Sequence, residues 1–225
     1  MLAAGREAAR QAQGGGQGRV VVGAVESIAD GFLVPVIARY RRDHPRVALS
    51  IRTGHTPQIV RELADGLVRL GLVTWQYTAG TVDLEVLARF REPLVAVVAP
   101  THPLAARRAV TIEEVVREGN PYHETVWGTR EDARLAPTSG RGWGEQELPH
   151  GLMRQLILRG LGAGFLPAPL VREDIMAGRL AALPLAEPGD LTRELALVRH
   201  AHAEALPVAA RELVAAVRAE AARSR

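Results

Sequence analysis

The sequence predicts an α/β fold built on a parallel sheet, and three observations carry that reading. Short β-branched runs alternate with helical repeats near the start: Arg19–Val25 (RVVVGAV), a helix, Val47–Arg52, a second helix, then Val68–Thr74. That β-α-β-α-β order belongs to parallel sheets with helices on their faces. Hydrophobic residues make up 47% of the 225 residues, ample for a core in one large domain or two small ones. No run of about eighteen apolar residues is present, so the sequence predicts no membrane span.

In chain order, Met1–Gln13 is alanine-rich with polar spacing and reads as the end of a helix. Gly14–Gly18 breaks it as a flexible linker. This is not a phosphate loop, since no GK[ST] follows and the chain contains no lysine. After the first strand, Glu26–Gly31 connects to a helix over Phe32–Asp43, with Leu33, Val36, Ile37 and Tyr40 apolar and Pro45 ending it. Gly54-His55-Thr56-Pro57 is a turn in which Thr56 is a candidate N-cap and Pro57 the first helical residue. The helix Gln58–Ala64 follows, capped by Gly66. Leu84–Phe90 and Leu94–Val98 read as two further strands, and Thr111–Arg117 as a short helix opening Thr-Ile-Glu-Glu.

Glu118–Gly144 is irregular, with Val126-Trp127 at a strand end and Glu145–Leu148 a strand. In Leu152–Arg159 the apolar residues Leu152, Met153, Leu156 and Ile157 recur at helical spacing, and Gly160 stops the helix. Leu161–Leu166 is a short buried strand closed by Pro167. Pro169–Ala177 is a helix stopped by Gly178, Leu180–Leu185 and Leu195–Arg199 are strands, and Pro207–Ala222 is a closing amphipathic helix carrying Leu213, Val214 and Val217.

The formal net charge is +3. All 28 basic residues are arginine, placed singly or in pairs and interleaved with acids, whereas a DNA-binding face needs a concentrated stripe. With no cysteine, disulfides and thiolate metal sites are excluded. His200-Ala201-His202 offers half of a metal site without further ligands and reads as a surface pair. Gly160–Gly164 is not a dinucleotide loop, because here the helix precedes the strand. No G-x-S-x-G elbow is present to build a hydrolytic triad. The sequence therefore predicts no enzyme, no metal and no cofactor.

The helix-turn-strand Gly151–Pro167 (GLMRQLILRGLGAGFLP) resembles the "aGLGia.LP" signature of the effector-binding domain of LysR-type transcriptional regulators. Six further fragments follow that family's order. Arg19–Gly23 resembles its "lriG" strand, Phe32–Pro45 its "llP.ll..F...yP", and Val47–Gly54 its "v.l.l..G". Leu63–Val73 resembles "l..G.lDlai", with Arg69 in place of the usual aspartate. Glu92–Ala105 resembles "e.l.lv...HPLA" through His102-Pro103-Leu104-Ala105, and Arg172–Leu185 resembles "v...l..G.Lv.lpl". The resemblance covers about Arg19 to Val217. It implies two Rossmann-like subdomains of the type 2 periplasmic-binding-protein fold joined by two crossover strands, at 19–93 plus 192–225 and at 94–191. Residues 1–18 would be a remnant of the linker helix and linker, with the family's winged helix-turn-helix domain absent. It further implies a homodimer or higher homo-oligomer that senses a small-molecule effector in the cleft between the subdomains and reaches DNA only through the missing domain. The N-terminus has no uninterrupted apolar core of signal-peptide type, so the sequence is read as cytoplasmic with no membrane partner. The exposed face of the Phe32–Asp43 helix is the candidate dimer contact. A transporter's solute-binding protein is the alternative on this fold.

Ligands of open α/β sheets bind beyond the carboxyl ends of strands, where helix N-termini favour anions. Ser27 follows the first strand and matches the family position whose Ser or Thr touches effector. His55 and Thr56 follow the second, and Trp75 and Gln76 the third. Trp127 and Gly128 follow a strand of the second subdomain, Pro149 and His150 open the next helix, and Phe165 lies on the strand after it. Ser27 and Thr56 serve equally as N-caps, Trp75 and Trp127 as core aromatics, and the histidines as solvated loop residues. The sequence leaves those alternatives open. Glu26 repels an anion unless it faces outward. Gly119–Gly144 is the least family-like segment and is expected to carry effector specificity.

Overall fold

The computed structural model describes residues 18–75, 83–119, 122–123, 148–186 and 191–223. The expectations for Met1–Gln13, Gln76, Trp127 and Gly128 lie outside them, as does nearly all of Gly119–Gly144. The chain divides into two compact units: one runs through Arg91 and resumes at Glu194, and the other is Glu92–Arg193.

The first unit opens with β1 (Gly18–Val25), which feeds directly into α1 (Glu26–Asp30) and then α2 (Leu33–Asp43). β2 (Val47–Gly54), α3 (Thr56–Ala64) and β3 (Leu70–Thr74) follow. β1 pairs parallel to both β2 and β3, with Val25 opposite Gly54 and Ala24 opposite Leu72. β8 (Thr192–His200) closes the order β2-β1-β3-β8, antiparallel to β3. Alternation along β1 builds a core on each face. Val20, Val22 and Ala24 pack with α2 and with the last helix, α7 (Val208–Arg223), through Leu33, Val36, Tyr40, Leu213 and Val217. On the other face Ile59 and Leu63 of α3 meet Val68, Val73 and Val198. Two glycines permit that approach: a Cβ on Gly23 would lie 2.8 Å from Ile59 Cγ2, and one on Gly71 would lie 2.8 Å from Leu63 Cδ1. The Tyr40 hydroxyl donates to Ala209 O at 2.7 Å and fastens α2 to α7, and burial pushes the phenol up to about 12.

β4 (Leu84–Val98) and β8 are the strands by which the chain passes from one unit to the other. In the second unit β4 is flanked antiparallel by β6 (Ala163–Pro167) and β7 (Ala181–Leu183), and the two-residue β5 (Tyr122–His123) runs parallel to β6. Leu104, Val110, Ile112 and Val115 cover one face with Leu94, Ala96 and Phe165. Met153 and Ile157 of α5 (His150–Leu158) and Val171 of α6 (Ala168–Met176) cover the other with Val97 and Leu166. α4 (Ile112–Glu118) starts in a full capping box: Thr111 Oγ1 accepts from Glu114 N while Glu114 reaches back to Thr111 N. Asp174 of α6 binds Arg154 of α5 at 2.6 Å and Arg179 at 2.7 Å. Burial pushes its carboxyl up, but the two guanidiniums outweigh that and hold it below the usual range.

Four expectations are corrected. Leu84–Phe90 and Leu94–Val98 are one strand, because the chain stays extended through Pro93, whose fixed φ suits a strand. Glu26–Asp30 is a helical turn rather than a plain connection. Leu148 lies outside any strand. Thr56 is the first helical residue rather than the N-cap, a position held by His55, which makes no side-chain cap.

Candidate functional site

Parallel register brings the carboxyl ends of β1, β2 and β3 to one edge of the first unit, each followed by the residues singled out in the sequence. Ser27 stands in the first turn of α1 and is 2% exposed. His55 is exposed at the start of α3. Thr56 is 3% exposed, and its hydroxyl has turned from its own helix to accept from Thr74 N at 3.2 Å. That bond ties the first residue of α3 to the last residue of β3. Trp75 is the next residue along. It is half-buried against the α3-side core, and the Arg89 guanidinium lies 4.9 Å from its ring centroid. Arg89 is itself paired with Glu194. Ser27, Thr56 and Trp75 are thus built into the edge, and His55 is the solvent-facing member.

Below that edge lies a network the sequence reading missed. Arg52 donates through Nε to Glu62 Oε2 at 2.9 Å and through Nη2 to Oε1 at 3.1 Å, while Gln58 donates to Oε1 at 3.2 Å. The Arg52 bonds hold the Glu62 carboxyl below its usual range. The pairing fixes β2 to α3 on the side of His55. Gln58 and Glu62 are four apart on one helix face, the signal that could have found them. Arg69, at the usual aspartate position, donates its backbone N–H to Val21 O at 3.1 Å and sets its guanidinium 3.9 Å from Glu204.

In the second unit Pro149 is exposed and precedes α5, and His150 is its first residue. The His150 ring is half-buried, but its Nε2 atom is sealed from solvent. Burial, followed by the nearby Arg193 charge, pushes the imidazole down to about 3. Phe165 is 1% exposed and packs in the core of the second unit. His102 Nδ1 accepts from Leu104 N at 3.2 Å and caps the turn at Pro103–Ala106, and burial lowers its pKa.

Near His150 is a buried ion pair, also missed in the sequence. Glu92 of β4 is 2% exposed and Arg193 of β8 is 4% exposed. Arg193 approaches Glu92 Oε2 through Nε at 2.6 Å and Nη2 at 2.5 Å. Glu92 Oε1 accepts no hydrogen bond among the described residues, an omission that costs about 1–3 kcal/mol. Burial pushes the Glu92 carboxyl up despite its partner. The signal was present: each residue is a charge on the buried phase of an alternating strand.

The LysR substrate binding domain family matches residues 13–222. Among curated proteins, the HTH-type transcriptional regulator YnfL of Escherichia coli is 30% identical over 77% of this chain and 58% of its own length. CbbR of Sinorhizobium medicae is 27% identical over 74% of this chain and 53% of its length. The chain therefore spans little more than half of the regulators it matches. Among solved structures, the reduced OxyR regulatory domain of Pseudomonas aeruginosa has a TM-score of 0.70 at 20% identity, covering 89% of this chain and 97% of that one. The oxidized OxyR of Corynebacterium glutamicum has a TM-score of 0.68 at 16% identity, covering 99% and 70%. These structures establish the periplasmic-binding-protein-like fold. No described helix is long and apolar enough to cross a membrane. From family match, relatives and fold together, the chain belongs to the LysR substrate-binding domain family.

Proposed function

We propose that this chain is the effector-sensing and dimerisation part of a LysR-type regulator, working in the cytoplasm by reversible binding rather than catalysis. DNA contact would come from the helix-turn-helix part that its longer relatives carry. The observation that carries the reading is the edge of the first unit. Two buried hydroxyls, Ser27 and Thr56, and an aromatic ring, Trp75, follow three successive parallel strands there. α3 starts at this edge, and the unpaired N–H groups and positive dipole end of a helix start favour a carboxylate or similar anion. His55 at its exposed N-cap supplies a further donor. Pro149 and His150 open α5 in the same manner and are the second unit's own candidates. Two related folds are distinguished as reduced and oxidized, but this chain holds no thiol, and sensing must run through differential affinity for two arrangements. Nothing favours the transporter alternative over the regulators that match.

The test is a thermal-shift screen against small carboxylates, aromatic acids, amino acids and their neutral analogues. A ligand that binds only the folded state raises the melting temperature. Ser27→Ala and Thr56→Ala should abolish the shift, and Thr56→Ser, which keeps the acceptor for Thr74 N, should restore it. A shift that survives both alanine variants moves the site elsewhere. If no class of compound shifts the melt, effector sensing is abandoned in favour of a dimerisation module.

A further inference from the structure

One surface of the first unit gathers more positive charge than negative. Arg89 and Arg91 stand two apart on β4, and Phe90 between them turns into the core. Both arginines therefore leave the same face of the strand, and both approach Glu194 of β8. They are not held alike. Arg89 donates to Glu194 Oε2 and sets its guanidinium 4.9 Å from the Trp75 ring centroid. Arg91 Nε stays 3.9 Å from Glu194 Oε1, beyond hydrogen-bond reach, and its side chain is 74% exposed. Among the described residues Glu194 is the only carboxylate paired with either arginine. Glu92, next along β4, is buried and taken by Arg193. Trp75 directly follows Thr74, whose N–H is held by Thr56, so the two guanidiniums border the candidate edge within the same unit.

Two guanidiniums against one carboxylate leave one positive charge uncompensated. A singly charged acid group brings the cluster to neutrality, and a guanidinium–oxyanion pair is charge-assisted and can be bidentate. Arg89 is stacked on an indole and tied at one edge, so its fork is pre-organised and little side-chain freedom is lost when an anion arrives. An arginine that served to brace β4 against β8 would close on Glu194 as Arg89 does, and Arg91 stands off instead. Resting on the effector-sensing reading, we propose that Arg91, with Arg89 pinned beside it on Trp75, receives the acid group of the effector, a carboxylate or a phosphate. Glu194 is then the counter-charge that limits the site to one negative charge. This assigns the anion to two named side chains of the first unit, in addition to the backbone of the edge.

The test is a melting-temperature titration of the whole chain with acetate, benzoate and inorganic phosphate, against acetamide, benzamide and an alkylguanidinium salt at matched ionic strength. At least one oxyanion should raise the melting temperature saturably, whereas the general salting effect does not saturate and is shared by all variants. A shift by the carboxylates without phosphate assigns a carboxylate, and the reverse assigns a phosphate. Arg91→Gln should weaken the bound anion by about tenfold or more, because a charge-assisted bond is lost. Arg91→Lys should recover part of that loss. Glu194→Gln removes the competing charge and should tighten binding by about threefold, a change that a merely structural role does not produce. Weaker binding in Glu194→Gln overturns the proposal. So does a shift by the alkylguanidinium salt and by no oxyanion, which would give Trp75 and Glu194 to a cation. A shift that survives Arg91→Gln but is lost in Thr56→Ala leaves effector sensing standing and removes Arg91 from it. A neutral ligand acting through Ser27 and Thr56 while every oxyanion fails has the same meaning. If nothing shifts the melt, both readings fall.

Discussion

Acidification should unfold this protein in part through a single imidazole. His150 holds a pKa of about 3 in the folded chain, against its ordinary value of 6.5, first because it is buried and then because Arg193 lies near. The folded state therefore resists the proton that the unfolded chain accepts. The stability this contributes is fully present above the unfolded pKa and drains away as pH falls from about 6.5 toward 3. At about pH 5 the unfolded chain gains a factor of about 30 from this site, or about 2 kcal/mol. The ring is half-buried rather than enclosed, and solvent screening reduces that to about 1 kcal/mol. For a chain of this size 1 kcal/mol moves the melting temperature by about 2–4 °C. His150→Gln keeps a polar side chain of similar size and removes the titration. Melting curves of both proteins near neutral pH and at about pH 5 should show the wild type losing about 2–4 °C more than the variant on acidification. All other titrating groups are shared and cancel in the difference. Equal losses in the two proteins would refute the argument and mean that His150 is charged in the folded chain.

Two further outcomes test the packing of each unit. Gly71→Ala places a Cβ 2.8 Å from Leu63 Cδ1, 3.1 Å from Ile59 Cγ2 and 3.3 Å from Val198 Cγ2, so denaturant unfolding should show a loss of about 1–3 kcal/mol. A smaller loss would mean that α3 can move off the sheet. Asp174→Asn keeps the shape but removes the charge between Arg154 and Arg179. The side chain is 1% exposed while both arginines reach solvent, so the expected loss is about 2 kcal/mol. Because the wild-type carboxyl is held below its usual range, this difference should be complete at neutral pH. It should shrink as pH falls through the ordinary aspartate range toward the lowered native value.

The period-two and period-3.6 patterns carried most of the fold. Val20, Val22 and Ala24 alternate into the core, and Leu33, Val36 and Tyr40 recur on one helix face, as the sequence indicates. Glycines at 66, 160 and 178 end elements with positive φ where they were expected to. What escaped was set by contacts between distant residues. Thr56 has the chemistry of an N-cap, but the end of β3 offers its hydroxyl a buried backbone donor that cannot be foreseen from neighbours in sequence. Leu84–Phe90 and Leu94–Val98 read as two strands in the sequence, whereas one strand runs through Pro93. At the candidate site, the edge of strand ends was legible from element order alone. For the Arg52–Glu62 brace and the Glu92–Arg193 pair the spacing marked the charged residues but not their partners, which in the latter lie 101 positions apart.

The bond from Tyr40 to Ala209 joins residues 169 positions apart, and it belongs to a unit whose two segments are separated by the whole of Glu92–Arg193. On a ribosome the contiguous unit emerges complete while the first still lacks β8 and α7. Until they arrive, β3 is an open strand edge, and the apolar faces of β1 and α2 have no helix to cover them. Long-range closure of this kind is slow, and half-built sheets with bare edges are the species that aggregate. The order of synthesis thus makes the first unit the last to finish, and a truncation before Val208 would strand it with its core exposed, however sound the inserted unit remained.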